Sequence, residues 1–274
     1  MSNVQTISIG TFNTWGIPFS SHLARERYQA LCQSIEHSSL DLLHLQEVWF
    51  YYLLDILRTR LPSYHLAYRR GLFGPEAGLV TLSRQPLQNI EFINFPPVGA
   101  PPEKRWWKRA TQPLKRKGAL LACLPQWSLA TCNCHLIANK ADDWSQASRY
   151  YRAHEYALER LADIVNSLAQ QRRHILIMGD FNIPKQSELY QKFVQLSQAT
   201  DLFEQDDSPT YHKEFWPNPQ RLDYVFFQME EKREQLHVRH KDFLFQEKVR
   251  LQNGKDHYLS DHIGLMAELE IDNI

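Results

Sequence analysis

HILIMGDFN, residues 174–182, sets four consecutive apolar residues, Ile175-Leu176-Ile177-Met178, ahead of a glycine, then places Asp180 and Asn182 on either side of Phe181. A short apolar run closed by a turn residue reads as a strand. Polar residues just past the end of such a strand are where α/β proteins tend to build sites. The same punctuation recurs along the chain. Asn13 ends the run that starts at Gln5, and Glu47 follows Leu42-Leu43-His44-Leu45-Gln46. Asn133 and His135 end the run that starts at Leu129, Asp223 follows Leu222, and Asp261-His262 precede the last strand. Singly, each is an ordinary turn or cap residue, and Glu47 alone suits a helix N-terminus. Together, in separate parts of the chain, they point to one site.

Outward from these positions, short β-branched runs alternate with helical patterns. Strands are expected at 5–13, 40–46, 64–69, 78–82, 88–94, 119–124, 128–134, 174–178, 222–228, 236–244 and 263–270. Helices are expected at 23–35, where Ala24, Tyr28, Leu31 and Ile35 share a face, at 50–61 before Pro62, and at 187–196. A long helix is expected over about 144–170, its N-terminus marked by Asp142 and Asp143. Consecutive strands often lack an intervening helix, which argues against a doubly wound parallel sheet. The order predicts α/β architecture with two sheets face to face and helices outside.

Composition bounds the rest. The chain has 274 residues, 31 Lys+Arg against 31 Asp+Glu, and 43% hydrophobic residues, the profile of a folded globular chain rather than a disordered one. A formal charge of zero excludes a uniformly basic nucleic-acid binder. The N-terminus lacks a secretory signal pattern, and no run is long and apolar enough to span a membrane. Cys132 and Cys134 share a strand face and make a poor disulfide pair. Free thiols and a cytoplasmic location are the expectation.

Residues 95–117 stand apart. Five prolines exclude a regular element, and Lys104, Arg105, Lys108, Arg109, Lys115, Arg116 and Lys117 face a single acid, Glu103. Trp106 and Trp107 interrupt the bases. The segment reads as a basic, Trp-bearing loop. It suits the interface of an anionic membrane, or stacking and phosphate contacts with nucleic acid, or plain solvation.

The residue types make chemical sense together. Glu47 and Asp261 are hard oxygen ligands suited to Mg²⁺, with Mn²⁺ or Ca²⁺ as alternatives, and no His or Cys spacing favours zinc. A His with an acidic partner can deprotonate water. Amides such as those of Asn13 and Asn182, with a second His, can stabilise phosphoryl oxygens. Metal, base and oxyanion donors add up to hydrolysis of a phosphate ester.

The segments TFNTWGIP (Thr11–Pro18), LHLQEVW (Leu43–Trp49), NCHL (Asn133–Leu136), MGDFN (Met178–Asn182), RLDYVF (Arg221–Phe226) and LSDHIGL (Leu259–Leu265) resemble, in the same order, the endonuclease/exonuclease/phosphatase (DNase I-like) superfamily. The resemblance implies one domain over 1–274, a four-layer sandwich of two central mixed β-sheets flanked by helices. It implies Glu47 as principal metal ligand with Asn13 beside it, and His262 as general base polarised by Asp223. Asp180 would orient the nucleophile, Asn182 would hold a phosphate oxygen, and His135 would stabilise the pentacovalent phosphate or assist the leaving group. Asp261 would be a second metal contact or an orienting carboxylate. Trp15-Gly16-Ile17-Pro18 after Asn13, and Glu47-Val48-Trp49, look most like the neutral sphingomyelinase branch. The resemblance therefore implies a phospholipid phosphodiesterase with peripheral membrane contact, a nuclease being the alternative and a non-catalytic phosphate-binding module the third reading. Substrate or membrane contacts are expected at Trp106, Trp107, Lys104, Arg105, Lys108 and Arg109.

Overall fold

A computed structural model describes residues 3–17, 23–96, 98–99, 116–170, 174–229 and 237–273. Its strands are β1 (Asn3–Asn13), β2 (Leu42–Gln46), β3 (His65–Ala67), β4 (Val80–Ser83), β5 (Gln88–Asn94), β6 (Gly118–Leu124) and β7 (Leu129–His135). They continue with β8 (His174–Asp180), β9 (Thr200–Asp201), β10 (Asp223–Gln228), β11 (His237–Leu244), β12 (Val249–Arg250), β13 (Asp256–His257) and β14 (Gly264–Asn273). Helices are α1 (Ala24–Glu36), α2 (Tyr51–Arg60), α3 (Tyr151–Ala169) and α4 (Glu188–Ser197).

Two mixed sheets pack face to face, in the orders β11-β14-β1-β2-β4-β3 and β5-β6-β7-β8-β10-β9. Each has one parallel pair, β1 with β2 and β7 with β8. Parallel neighbours need a long crossover, and α1 and α3 supply it. The first sheet packs its outer face on α1 and α2 through Phe12, Leu43, Leu45, Leu31 and Leu53. The second packs on α3 and α4 through Cys132, Ile175, Ile177, Leu161 and Phe193. The architecture is the expected four-layer α/β sandwich.

Because strand side chains alternate faces, every second residue of the central strands points into the seam between the sheets. Along β1 these are Ile7, Ile9, Thr11 and Asn13; along β2, Leu42, His44 and Gln46. Along β7 they are Leu129, Thr131, Asn133 and His135; along β8, Leu176, Met178 and Asp180. All are buried. Each row thus starts apolar, becomes polar and ends at a site residue or just short of one. The apolar end packs as one cluster of Ile7, Ile9, Leu42, Leu129, Leu176, Met178 and Val225. The polar layer is satisfied across the sheets. Gln46 Nε2 donates to Asn133 Oδ1 at 2.9 Å, and His44 bonds Met178 O at 3.3 Å and the Thr131 hydroxyl at 2.6 Å. Buried polar groups are tolerated on these terms.

The short strands β9, β12 and β13 add to the expected set, β3 is shorter than the expected 64–69, and the long helix differs most. The long helix starts at Tyr151, not near Trp144, because the acidic residues are used locally. Asp143 Oδ1 accepts Ser145 N at 3.0 Å, Asn139 Oδ1 accepts Ala141 N at 2.9 Å, and the Trp144 indole donates to Asn182 O at 2.9 Å. Side-chain-capped turns compete with helix in this way. The four cysteines are free and buried, as expected. Among the described residues no helix is long and apolar enough to cross a membrane. Trp106, Trp107, Lys104, Arg105, Lys108 and Arg109 lie outside the described residues.

Two buried histidines link this packing to pH. Burial pushes His44 down to about 3 and His154, on α3, down to about 4, the latter also depressed by Lys117. Below their unfolded value of about 6.5 the unfolded chain binds protons that these folded imidazoles do not. Stability is therefore full above that value and is lost as pH falls from about 6.5 toward 4 for His154 and toward 3 for His44. The urea midpoint, measured across that window, is expected to fall. His154→Leu is expected to flatten the slope by removing a contribution of about 3 kcal/mol.

Candidate active site

Strand register builds the site before any loop does. His135 and Asp180 are neighbours across β7 and β8, and Asp180 and Asp223 are neighbours across β8 and β10. Asn13 ends β1 on the opposite sheet and donates Nδ2 to Asp180 Oδ2 at 2.9 Å, over 167 residues of sequence. Gly179 makes the approach to Asp180 possible. Its φ is +151°, and a Cβ there would stand 1.9 Å from Cys134 O. Glu47, Asn182 and Trp15 also adopt left-handed φ, at 64°, 54° and 50°. Such conformations cost roughly 1–2 kcal/mol each outside glycine and persist only where surroundings enforce them.

His262 Nδ1 and Asp223 Oδ2 lie 2.9 Å apart, and His262 Nε2 is 3.9 Å from Asp180 Oδ2. Asp180 accepts the Asn182 backbone N–H at 2.9 Å on its other oxygen. Asn182 Nδ2 donates to Leu136 O at 3.1 Å. His135 Nε2 sits 3.4 Å from Asp180 Oδ2, 3.8 Å from Glu47 Oε1 and against Lys117 Nζ. Asp261 accepts the Tyr211 hydroxyl at 2.5 Å and the Ser260 hydroxyl at 3.1 Å, so both of its oxygens have protein partners. All eight residues expected from the sequence, Asn13, Glu47, His135, Asp180, Asn182, Asp223, Asp261 and His262, meet at this one end of the seam.

Burial pushes the Glu47 carboxyl up to about 7, with Asp261 and Asp180 adding to the rise while Lys117 and His262 oppose it. Asp180 rises to about 6 through burial and the charge of Asp223. Burial works against charge on His262, yet Asp223, Asp180 and Asp261 outweigh it and raise the imidazole to about 10. Burial, then Lys117 and His262, drive His135 well below its ordinary value. His135 is therefore neutral. Since the Lys117 ammonium can only donate, it donates to Nε2, which puts the ring proton on Nδ1.

Three buried polar atoms here lack any hydrogen-bond partner: Glu47 Oε2, Asp223 Oδ1 and His135 Nδ1. Unpaired buried polar atoms are costly and rare. The oxygens of Glu47 and Asp223 suit a hard cation. Asp180, Asp223 and His262 offer ligand atoms within 4.8 Å of one another. Ligation through the Asp223–His262 contact would break that hydrogen bond, whereas Glu47 Oε2 is free to ligate. The donor set, carboxylate and amide oxygens, fits Mg²⁺ better than zinc.

Several site residues escape the sequence reading. Lys117 enters it only as one basic residue among seven. Its ammonium contacts His135 and lies 5.7 Å from the centre of the Trp49 ring. Arg27, fully buried on α1, donates to Thr14 O at 3.1 Å, Trp15 O at 2.8 Å and Leu259 O, tying the loop after Asn13 to the one before Asp261. An arginine beside Tyr28 on the apolar face of a helix was the available signal. Thr210 Oγ1 accepts Leu222 N and Asp223 N at 3.0 and 3.1 Å, and Thr210 O accepts Ile263 N at 2.8 Å. The Tyr211 ring meets His262 edge-on at 4.5 Å. Nothing in the sequence near Thr210 announces this staple.

The sequence profile described as the Endonuclease/Exonuclease/phosphatase family matches residues 10–262, which includes every residue of the cluster. The chain belongs to this family. Within the family, it is 30% identical over 179 residues to inositol phosphosphingolipids phospholipase C of Schizosaccharomyces pombe, covering 63% of this chain and 40% of the relative. It is 28% identical over 185 residues to sphingomyelin phosphodiesterase 2 of Homo sapiens, covering 65% and 41%. The aligned stretches thus span about two-fifths of these relatives' length. Among solved structures, D. rerio TDP2 complexed with a single-strand DNA product superposes with a TM-score of 0.69 at 17% identity, covering 96% of this chain and 98% of that one. At that identity the likeness speaks for the DNase I-like fold alone.

A cation that binds only the folded protein raises its melting temperature. In chelator, Glu47→Gln is expected to melt no lower than the parent, because it removes a buried charge repelled by Asp261 and Asp180. With magnesium the parent is expected to gain several degrees and Glu47→Gln to gain almost nothing. Calorimetric melting curves check both.

Proposed function

We propose that the chain is a divalent-cation-dependent phosphodiester hydrolase acting on a phosphosphingolipid headgroup of the sphingomyelin kind. The observation that carries the reaction class is the His262–Asp223 pair, with His262 Nε2 facing Asp180 in a site whose Glu47 and His135 each keep an unpartnered buried atom. The lipid is favoured by the two relatives, whose names assign them sphingolipid phosphodiesters.

Glu47 would hold the cation, with Asn13 beside it; Mg²⁺ suits these oxygens, and Mn²⁺ or Ca²⁺ could replace it. When bound, the ion would draw charge from a phosphoryl oxygen and, by cancelling the carboxylates' field, let His262 release the proton it holds in the metal-free protein. Asp223 fixes the His262 tautomer through Nδ1, leaving Nε2 to accept the proton of the attacking water. Asp180 accepts from Asn13 and Asn182 and orients that water. The water oxygen joins phosphorus, and the bond from phosphorus to the lipid oxygen breaks. His135, polarised by Lys117, would stabilise the pentacovalent phosphorus or assist the departing oxygen, and Asn182 would hold a phosphoryl oxygen. Asp261, each oxygen already accepting one hydrogen bond, would be a second cation contact or an orienting carboxylate.

His262→Ala is expected to lower turnover by about a hundredfold or more, and Asp223→Asn to lower it through the wrong tautomer, with melting curves that keep a single cooperative transition. Parallel turnover of sphingomyelin, glycerophospholipids and plasmid DNA with magnesium, against a chelator control, reads the substrate. Sphingomyelin turnover is the expected result. Turnover of DNA alone would replace the lipid reading with a nuclease, and no turnover of any would leave a phosphate-binding module.

A further inference from the structure

Leu72 and Phe73 are adjacent and stand 75% and 53% exposed at the tip of a tight turn. Single exposed apolar residues are ordinary, but this pair has company. Tyr52, 49% exposed on the first turn of α2, stacks on Phe50 with ring centres 5.7 Å apart. Arg69 and Arg70, both exposed, immediately precede the tip. On its other side Glu76 is engaged by Arg116 at 3.3 Å, so the tip presents positive charge beside apolar side chains.

The turn is built to hold that pair outward. Arg70 bridges to Pro75, and Gly71 N donates to Gly74 O at 2.9 Å. The Tyr51 hydroxyl donates to Gly71 O at 2.7 Å, and Tyr51 N donates to Phe73 O at 2.9 Å. A Cβ on Gly74 would stand 2.4 Å from Trp49 O, so the turn lies directly on the backbone that leaves Glu47. Farther along, Val48 N donates to Gly78 O at 2.9 Å. The tip is thus coupled rigidly to the rim of the site.

We propose that residues 69–73 form a membrane-docking wedge. Leu72 and Phe73 enter the interface of an anionic bilayer, Arg69 and Arg70 stay at the level of the lipid phosphates, and Tyr52 lies at the boundary. Two apolar side chains and a tyrosine cover far less than the ~800 Å² per partner of a stable protein interface. A bilayer asks only for a few apolar groups beside cations. The wedge gives the phospholipid reading of the site a way to meet its substrate and rests on that reading for its purpose, though not for its test.

Cosedimentation of chelated protein with vesicles of equal parts phosphatidylcholine and phosphatidylserine reads the wedge without turnover. Leu72→Ser with Phe73→Ser, both outside the catalytic cluster, is expected to cut partitioning about tenfold or more. The same variant is expected to keep the parent's melting temperature and its magnesium-dependent hydrolysis of a water-soluble phosphodiester. Unchanged partitioning overturns the wedge. So does parental self-association that the variant loses while still binding vesicles, which makes the tip a protein contact. A parent that hydrolyses no phosphodiester yet sediments through Leu72 and Phe73 supports the wedge and overturns the catalytic reading, so the two failures are distinguishable.

Discussion

Asp180, buried at the seam with Asn13 reaching it from the opposite sheet, is the interaction on which the rest of the site depends. A carboxylate removed from water needs partners for its lone pairs, and this one draws them from both sheets. Asn13 binds one oxygen, and the backbone N–H of Asn182 binds the other. Satisfying Asp180 therefore fixes how the two sheets register at this end. Once they do, His135 and Asp223 follow as its neighbours in the ladder, and Asp223 brings His262. The seam is apolar at one end and charged at the other, with the amide layer of Gln46 and Asn133 between.

The charge of that end is only partly answered by the protein. Glu47, Asp180, Asp223 and Asp261 converge on one charged histidine, while Lys117 and Arg27 stand beside them, Arg27 donating to the carbonyls of Thr14 and Trp15. The raised carboxyls of Glu47 and Asp180, and the raised imidazole of His262, are one imbalance seen from both sides. A bound cation is the simplest physical remedy. The unpartnered oxygens of Glu47 and Asp223 would suit such a cation.

Much of this is legible in the sequence because strands alternate. Ile7, Ile9, Thr11 and Asn13, or Leu129, Thr131, Asn133 and His135, record along a single strand the change from apolar core to site. Helix starts are less legible: Asp142 and Asp143 look like a helix N-terminus, but Asp143 caps a turn and the helix waits for Tyr151. Lys117 sits in a run of bases whose composition suggests solvent or an anionic surface. Only the pairing of β6 with β7, which sets Gly118 opposite His135, brings its ammonium to the ring. Thr210 and Tyr211 act through hydrogen bonds to residues about 12 and 50 positions away, a relation no local pattern carries.

The reaction proposed for this charged end of the seam is attack of water on phosphorus. Phosphorus NMR of a phosphodiester turned over with magnesium, in water enriched in the heavy oxygen isotope, tests it most directly. The expected product is a phosphomonoester whose signal carries the isotope shift, because the new oxygen is bonded to phosphorus. An unchanged diester, or a monoester without the shift, would contradict it.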